Sequence, residues 1–376
     1  MRIAIVTPVM PPYGGGIGVI AYHHARLLST AGYDVTVFTP DYGRARLEHP
    51  DFRVVYLRPA LTVGNAALLP SLAAALDGFT LVHLHYPFIG AARPVLRACR
   101  RRRPRLVLHY HMDLLAPGLR GLLLSGWQRV MLPFLVRAAD RVVVLSLDYA
   151  QQGKLAPMIA RDPQRFTVLP NGVEARRFTP GPKPERLVAQ YGLQRARTVL
   201  FVGSLDAAHY FKGVPVLLAA MARLPQDVRL LVVGGGGWQD RYRRMSEQLG
   251  IADRVRFTGA VPTHDLPDHY RLADVVTLPS VTRSEAFGVA LLEAMAVQRP
   301  VVATSLPGVR TVVGESAGLL ARPGDAADLA EKLAQLLDDP ARAAACGAAG
   351  HEAVLTKYRW TVVSNQLLTL YQSLLR

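Results

Sequence analysis

A chain of 376 residues is too long for one small core and predicts two or three compact units of about 150 residues each. Half the residues are hydrophobic and 19% are charged, which excludes a disordered chain and fits a packed globular one. The net charge of +16 is uneven: up to Pro180 there are 22 Lys and Arg against 10 Asp and Glu, and beyond it 22 against 18.

Cys99 and Cys346 stand in no metal-ligand or CxxC spacing, so no disulfide framework is expected and the compartment reads as reducing. The first residues are broken by Pro8 too early for a signal peptide. The longest apolar stretch, from Leu122 to Val136, is interrupted by Gln128, Arg129 and Pro133, short of the ~18 apolar residues of a membrane span. A cytoplasmic protein is expected.

Taken in order, residues 2–7 form a buried-strand pattern, followed by a Pro- and Gly-rich loop and an amphipathic helix over 17–30. Strands are predicted at 34–38, 53–57, 81–85, 105–109 and 141–146. A second series begins with a strand at 198–202, a loop to Gly213 and a helix over 215–223 with proline in its first turn. Strands at 228–233, 255–258, 275–278 and 301–303 follow. Short β-branched runs alternating with helices predict parallel sheets covered on both faces. Two series predict two doubly wound α/β domains. The proline-rich stretch at 179–184 marks the boundary, giving an N-terminal domain over 1–178 and a C-terminal one over 179–357. Two such domains facing each other by the carboxyl ends of their strands would enclose a cleft.

The basic residues concentrate at Arg93, Arg97, Arg100, Arg101, Arg102, Arg103 and Arg105. They read either as a solvated helix end or as a surface attracted to anionic lipid, worth roughly 1 kcal/mol per basic residue near the membrane. No aromatic-interleaved or helix-turn-helix pattern accompanies them, so no nucleic-acid partner is expected.

Glycines 14, 15, 16 and 18 lie between a strand and a helix, where backbone N–H groups can approach an anion. Residues 16–21 satisfy GxGxxA and Asp41 follows the second strand, the pattern of a dehydrogenase. Against that reading, Pro8, Pro11 and Pro12 displace the glycines about eight residues from the strand. Lys212 and Gly213 follow the second domain's first strand, where a lysine can neutralise a diphosphate. The absence of GxxxxGK[ST] excludes a P-loop. Glu285 lies at an expected helix start with the N–H groups of Ala286, Phe287 and Gly288 free, and Glu293 lies two turns on. Two carboxylates so placed can hold the vicinal hydroxyls of a sugar and of a ribose. His83, His85, His109, His111 and Asp113 cluster on strands of the first domain. Without a carboxylate spacing or a DxD motif, no metal is expected.

In combination these motifs resemble glycosyltransferase family 4, the large retaining family of the GT-B fold. The resemblance spans the chain. It rests on the glycine loop, Leu169-Pro170-Asn171-Gly172-Val173, Lys212-Gly213, Val255-Arg256-Phe257-Thr258-Gly259, the E-x7-E pair Glu285 and Glu293, and Leu306-Pro307-Gly308. It implies an enzyme that moves a hexosyl group from a nucleotide-diphosphate sugar to an acceptor hydroxyl. The basic first domain adds the expectation of a sugar or lipid-linked acceptor at the inner face of the cell membrane. No metal or other cofactor is implied. Glu285 and the N–H groups of Phe287 and Gly288 would contact the transferred sugar, and Glu293 the ribose. Lys212, Gly15 and Gly16 would stabilise the departing diphosphate, and His111 would lie near the reacting sugar. Residues 358–376 would pack back on the first domain.

One position departs from the pattern. Where many relatives carry an arginine after the Val-Gly of the first strand, this chain has Ser204, with His209, Arg283 and Arg310 the cations left to compensate. Two further readings remain: a sugar-nucleotide epimerase or NAD-dependent enzyme on a double Rossmann architecture, and a catalytically silent nucleotide-binding protein. UDP-glucose, UDP-N-acetylglucosamine and GDP-mannose are all open as donors.

Overall fold

The computed structural model describes residues 1–12, 16–64 and 66–375. The chain divides into two compact units, Met1–Pro170 with Val363–Arg376 and Asn171–Val362. Gly14 and Gly15 lie outside the described residues.

The first unit is built on seven strands: β1 (Arg2–Val6), β2 (Asp34–Pro40) and β3 (Arg53–Leu57), then β6 (Leu81–Tyr86), β7 (Arg105–Tyr110), β8 (Arg141–Val144) and β9 (Phe166–Val168). A separate antiparallel hairpin, β4 (Leu61–Val63) and β5 (Ala66–Leu68), intervenes in the sequence. The sheet order is β3-β2-β1-β6-β7-β8-β9 and every pairing is parallel. The second unit orders its strands β12 (Val255–Gly259), β11 (Val228–Val233), β10 (Arg197–Val202), β13 (Val275–Leu278), β14 (Val301–Thr304) and β15 (Gly318–Ala321), also all parallel.

Apolar runs explain these strands. Ile3 through Val6 and Val199 through Phe201 have no exposed surface, as strands covered on both faces require. Helices supply the covering layers. In the second unit Leu217, Leu218 and Met221 of one helix and Leu329, Leu333 and Leu336 of another share a core with Val199, Leu230 and Val275.

Each sheet has a point where the chain reverses direction across it. From β1 the chain runs to β2 on one side and returns later to β6 on the other, and β10 is flanked in the same way by β11 and β13. Ligands of open α/β sheets bind outside the carboxyl ends of the strands at such points.

The interior of the first unit is unusual in its histidines. His83 and His85 alternate to one face of β6, and the register sets His85 opposite His109 on β7. His24, from the helix Gly16–Thr30, stacks on His83 and His109. Tyr371, from the helix Trp360–Leu375, meets Nδ1 of His83 at 2.6 Å.

Burial, with added repulsion from neighbouring rings, holds the imidazoles of His24, His83, His85, His109 and His111 well below their ordinary value, His83 and His111 at about 3. The unfolded chain therefore takes up protons near pH 6.5 that the folded chain refuses, in the case of His83 and His111 until about pH 3. Stability is fully present above pH 6.5 and is lost as pH falls through that window, by up to ~1.4 kcal/mol per pH unit for each ring kept neutral. Urea midpoints of metal-free protein should thus drop steeply from pH 7.5 to pH 5.5. Equal midpoints would mean that the rings protonate in place.

Candidate active site

Two loops flank the switch point of the second sheet. One follows β10 and runs through the short helix Ala207–Lys212 to Gly213. The other follows β13, from Pro279 to Gly288, before the helix Val289–Ala296. They are held together by backbone. Gly213 has φ +73°, and a Cβ there would lie 1.9 Å from the carbonyl oxygen of Pro279, a contact that only glycine permits. The Val281 N–H donates to the Phe211 carbonyl at 2.7 Å.

This junction brings Lys212 to Glu285. Lys212 Nζ donates to Glu285 Oε2 at 2.7 Å, and the buried Ser280 hydroxyl donates to the same oxygen at 3.3 Å. The lysine stem lies over Gly203, where a Cβ would come within 3.1 Å of Lys212 Cδ. An ammonium carries three donors, so two remain for a ligand's oxygens.

Glu285 is placed differently from the expectation of a helix start. The helix begins at Val289 with Gly288 as its N-cap, and Glu285 sits in the loop four residues earlier. The cause is Gly288, whose φ of +88° turns the chain away from helical geometry. A Cβ there would meet Leu278 Cδ2 at 2.6 Å. Among the described residues, no hydrogen bond is made by the N–H groups of Ala286, Phe287 and Gly288. Ala286 and Phe287 are themselves buried.

Glu293 projects from the second turn of the same helix and engages a different partner. The buried Tyr270 hydroxyl donates to its Oε2 at 2.6 Å. Burial pushes the Glu293 carboxyl up to about 7, against the Tyr270 hydrogen bond and the charges of Arg177 and Lys212, which pull it down.

Ser204 is exposed just beyond β10. His209 is committed to Asp206, Nδ1 to Oδ1 at 2.8 Å, and Lys212 is in contact with Glu285. Gly16 opens the helix Gly16–Thr30 with nothing within 4 Å of where a Cβ would stand. The tight contact in that segment is Gly18, whose Cβ would lie 2.8 Å from the Val9 carbonyl oxygen. Asp41, the carboxylate of the dehydrogenase reading, accepts from Gly43 N–H at 3.0 Å and pairs with Arg46.

In the first unit His111 lies just past β7 and is buried, its Nε2 2.9 Å from Nδ1 of His85. Asp113 accepts from the Tyr110 hydroxyl and from Gln128 Nε2, the latter at 3.1 Å.

Sequence reasoning missed Tyr270, Ser280 and His24. Tyr270 and Ser280 carry no local signal, since their roles depend on strand order. His24 was legible: it falls at helical spacing with the buried Ile20, Ala21 and Leu28.

Two doubly wound parallel sheets, each with its switch point, define a pair of Rossmann-like domains of the GT-B class. Comparison with known proteins identifies the family. Residues 14–177 match the model of Glycosyltransferase Family 4 and residues 185–353 that of Glycosyl transferases group 1. The chain is 32% identical to the phosphatidyl-myo-inositol mannosyltransferase of Mycolicibacterium smegmatis, over 99% of this chain and 94% of that one. It is 29% identical to the GDP-mannose-dependent alpha-(1-6)-phosphatidylinositol monomannoside mannosyltransferase of Mycobacterium tuberculosis, over 97% of each. Among solved structures, sucrose-phosphate synthase from Thermosynechococcus elongatus superposes with a TM-score of 0.80 at 25% identity, over 100% of this chain and 99% of that one. The chain belongs to glycosyltransferase family 4 and is a hexosyltransferase that uses nucleotide sugars. Membership implies retention of anomeric configuration.

The glycines give a test of the loop junction. Gly213→Ala should destabilise the protein by about 2 kcal/mol or more, because both its φ and its space are unavailable to alanine. Gly16→Ala should change stability by less than about 0.5 kcal/mol. Thermal unfolding of the two variants side by side checks the contrast.

Proposed function

We propose that the chain transfers a hexosyl group, without a metal, from a nucleotide-diphosphate sugar to a hydroxyl of a membrane-anchored polyol headgroup. The observation that carries the reading is the Lys212–Glu285 pair beside the unbonded N–H groups of residues 286–288.

In this reading Glu285 and the N–H groups of Phe287 and Gly288 hold the sugar, Glu293 the ribose, and Lys212 with Ser204 and the glycines at 15 and 16 the diphosphate. The charge that develops on the departing diphosphate is met by Lys212 in a partly buried site, where such stabilisation is strongest. The diphosphate oxygen takes the acceptor's proton as it leaves, and His111 orients the reacting sugar. The acceptor class draws support from relatives named for phosphatidylinositol substrates.

The surface of the first unit supports a lipid setting. Along the helix Gly118–Ala138, Leu119 (72% exposed), Leu122 (71%), Leu123 (68%), Val130 and Phe134 form one outward apolar stripe. Met131 and Phe134 of this helix line a recess with Arg93, Arg97, Arg100 and Arg101. Apolar side chains beside arginines suit an anionic bilayer surface. Among the described residues no helix is long and apolar enough to cross a membrane.

Four measurements test the reading. Lys212→Ala should lower kcat by about 10²–10³, and unchanged turnover would remove the lysine from the mechanism. Nucleoside diphosphate affinity, measured by calorimetry, should weaken about tenfold from pH 8 to pH 6 as Glu293 gains its proton, and Glu293→Gln should bind more weakly with a flat profile. A parallel decline in the variant would place the titration elsewhere. Flotation with anionic vesicles should be lost on changing Leu119, Leu122 and Leu123 to serine and weakened by salt. Equal flotation of the triple variant would sink the lipid surface. For the donor, GDP, UDP and ADP at about 100 times their dissociation constants should separate in thermal shift, the correct one adding roughly 2.7 kcal/mol with or without EDTA.

A further inference from the structure

The histidines inside the first unit are more numerous than sugar transfer requires. His24, His83, His85 and His109 are all fully buried, and one ring nitrogen from each lies within 4.8 Å of the others. Their hydrogen bonding does not close on itself. His83 uses Nδ1 on Tyr371 and Nε2 on His109, and His85 uses Nδ1 on His111. Among the described residues, Nε2 of His85 is buried with no hydrogen-bond partner. A buried polar atom left without a partner is costly and calls for an explanation such as an ion or water.

We propose that His24, His83, His85 and His109 form a binding site for one late first-row transition-metal cation, with Zn²⁺ as the reference occupant. Four imidazoles and no carboxylate or thiolate select zinc, copper and nickel over magnesium, calcium and manganese. His83 Nε2 and His109 Nδ1 are already 3.3 Å apart, the edge of a tetrahedron with bonds of 2.0–2.1 Å being about 3.3 Å. The rings lie nearly parallel, His83 and His109 at 10° and His83 and His85 at 19°.

Ligation through Nε2 needs His83 and His85 protonated at Nδ1, with Tyr371 and His111 as the acceptors there. Tyr371 occupies Nδ1 of His83, whose Nε2 faces His109, and His111 occupies Nδ1 of His85 and leaves its Nε2. Partners of this kind orient most metal-bound histidines. The ion ties the helix Gly16–Thr30 to β6 and β7 and acts as a staple of the first unit. With four neutral ligands its full charge stays inside the unit, so binding is weaker than at a cysteine-bearing zinc site.

The test uses untagged protein stripped with a chelator and re-equilibrated with micromolar Zn²⁺. One zinc per chain should survive gel filtration, and Tm should rise by about 5 °C at 100 times the dissociation constant. Co²⁺ should give the visible bands of a tetrahedral site. His24→Leu should weaken binding at least tenfold, and Tyr371→Phe, which keeps all four ligands, about tenfold. Should His24→Leu not fold, wild-type stoichiometry and Tyr371→Phe decide. Less than about one tenth of an equivalent of zinc on wild-type protein overturns the proposal, as does zinc bound equally by both variants, which would place it on surface histidines.

Discussion

The second unit's chemistry depends on one backbone contact, between Gly213 after β10 and the Pro279 carbonyl after β13. Strand order places these two loops side by side, because β13 returns to the flank of β10 opposite β11. Without a Cβ at 213 the loops close to van der Waals distance, and the lysine one residue earlier falls on the carboxylate six residues after Pro279. The ion pair is thus a product of sheet topology and one missing methyl group. An ion pair of this degree of burial is held by geometry rather than by its own Coulomb energy, since desolvation offsets much of the attraction.

The strands of both sheets were legible because each is a short, apolar, β-branched run buried on both faces. Those that escaped show where that signal fails. Phe166–Val168 and Gly318–Ala321 sit at sheet edges and are only partly buried, and the hairpin Leu61–Val63 with Ala66–Leu68 keeps its leucines and valine exposed. The helix Val289–Ala296 begins later than expected because a run such as Glu285–Gly288 looks helical in composition. Only the positive φ of Gly288 decides otherwise. Glu285, Glu293 and Lys212 could be named from their pattern. Their partners Ser280 and Tyr270 could not, because a hydroxyl gains its role from the strand or helix that lies beside it.

The two units spend their unusual residues in opposite ways. The second pairs a lysine with a carboxylate in its loops and leaves another carboxyl, Glu293, raised to about 7 by burial. The first places uncharged imidazoles inside and arginines outside, next to leucines that turn away from the core. A helix that shows solvent an apolar stripe is explained by an apolar partner surface rather than by its own fold.

The hydrogen bond between His83 and Tyr371 joins residues 288 positions apart, and the first unit includes Val363–Arg376. On a ribosome adding about 5–20 residues per second, the first unit waits roughly a quarter of a minute to a minute between making His83 and receiving its tyrosine. The second unit can finish while the first is still open. The domain that begins the chain is therefore the later of the two to receive its last residues.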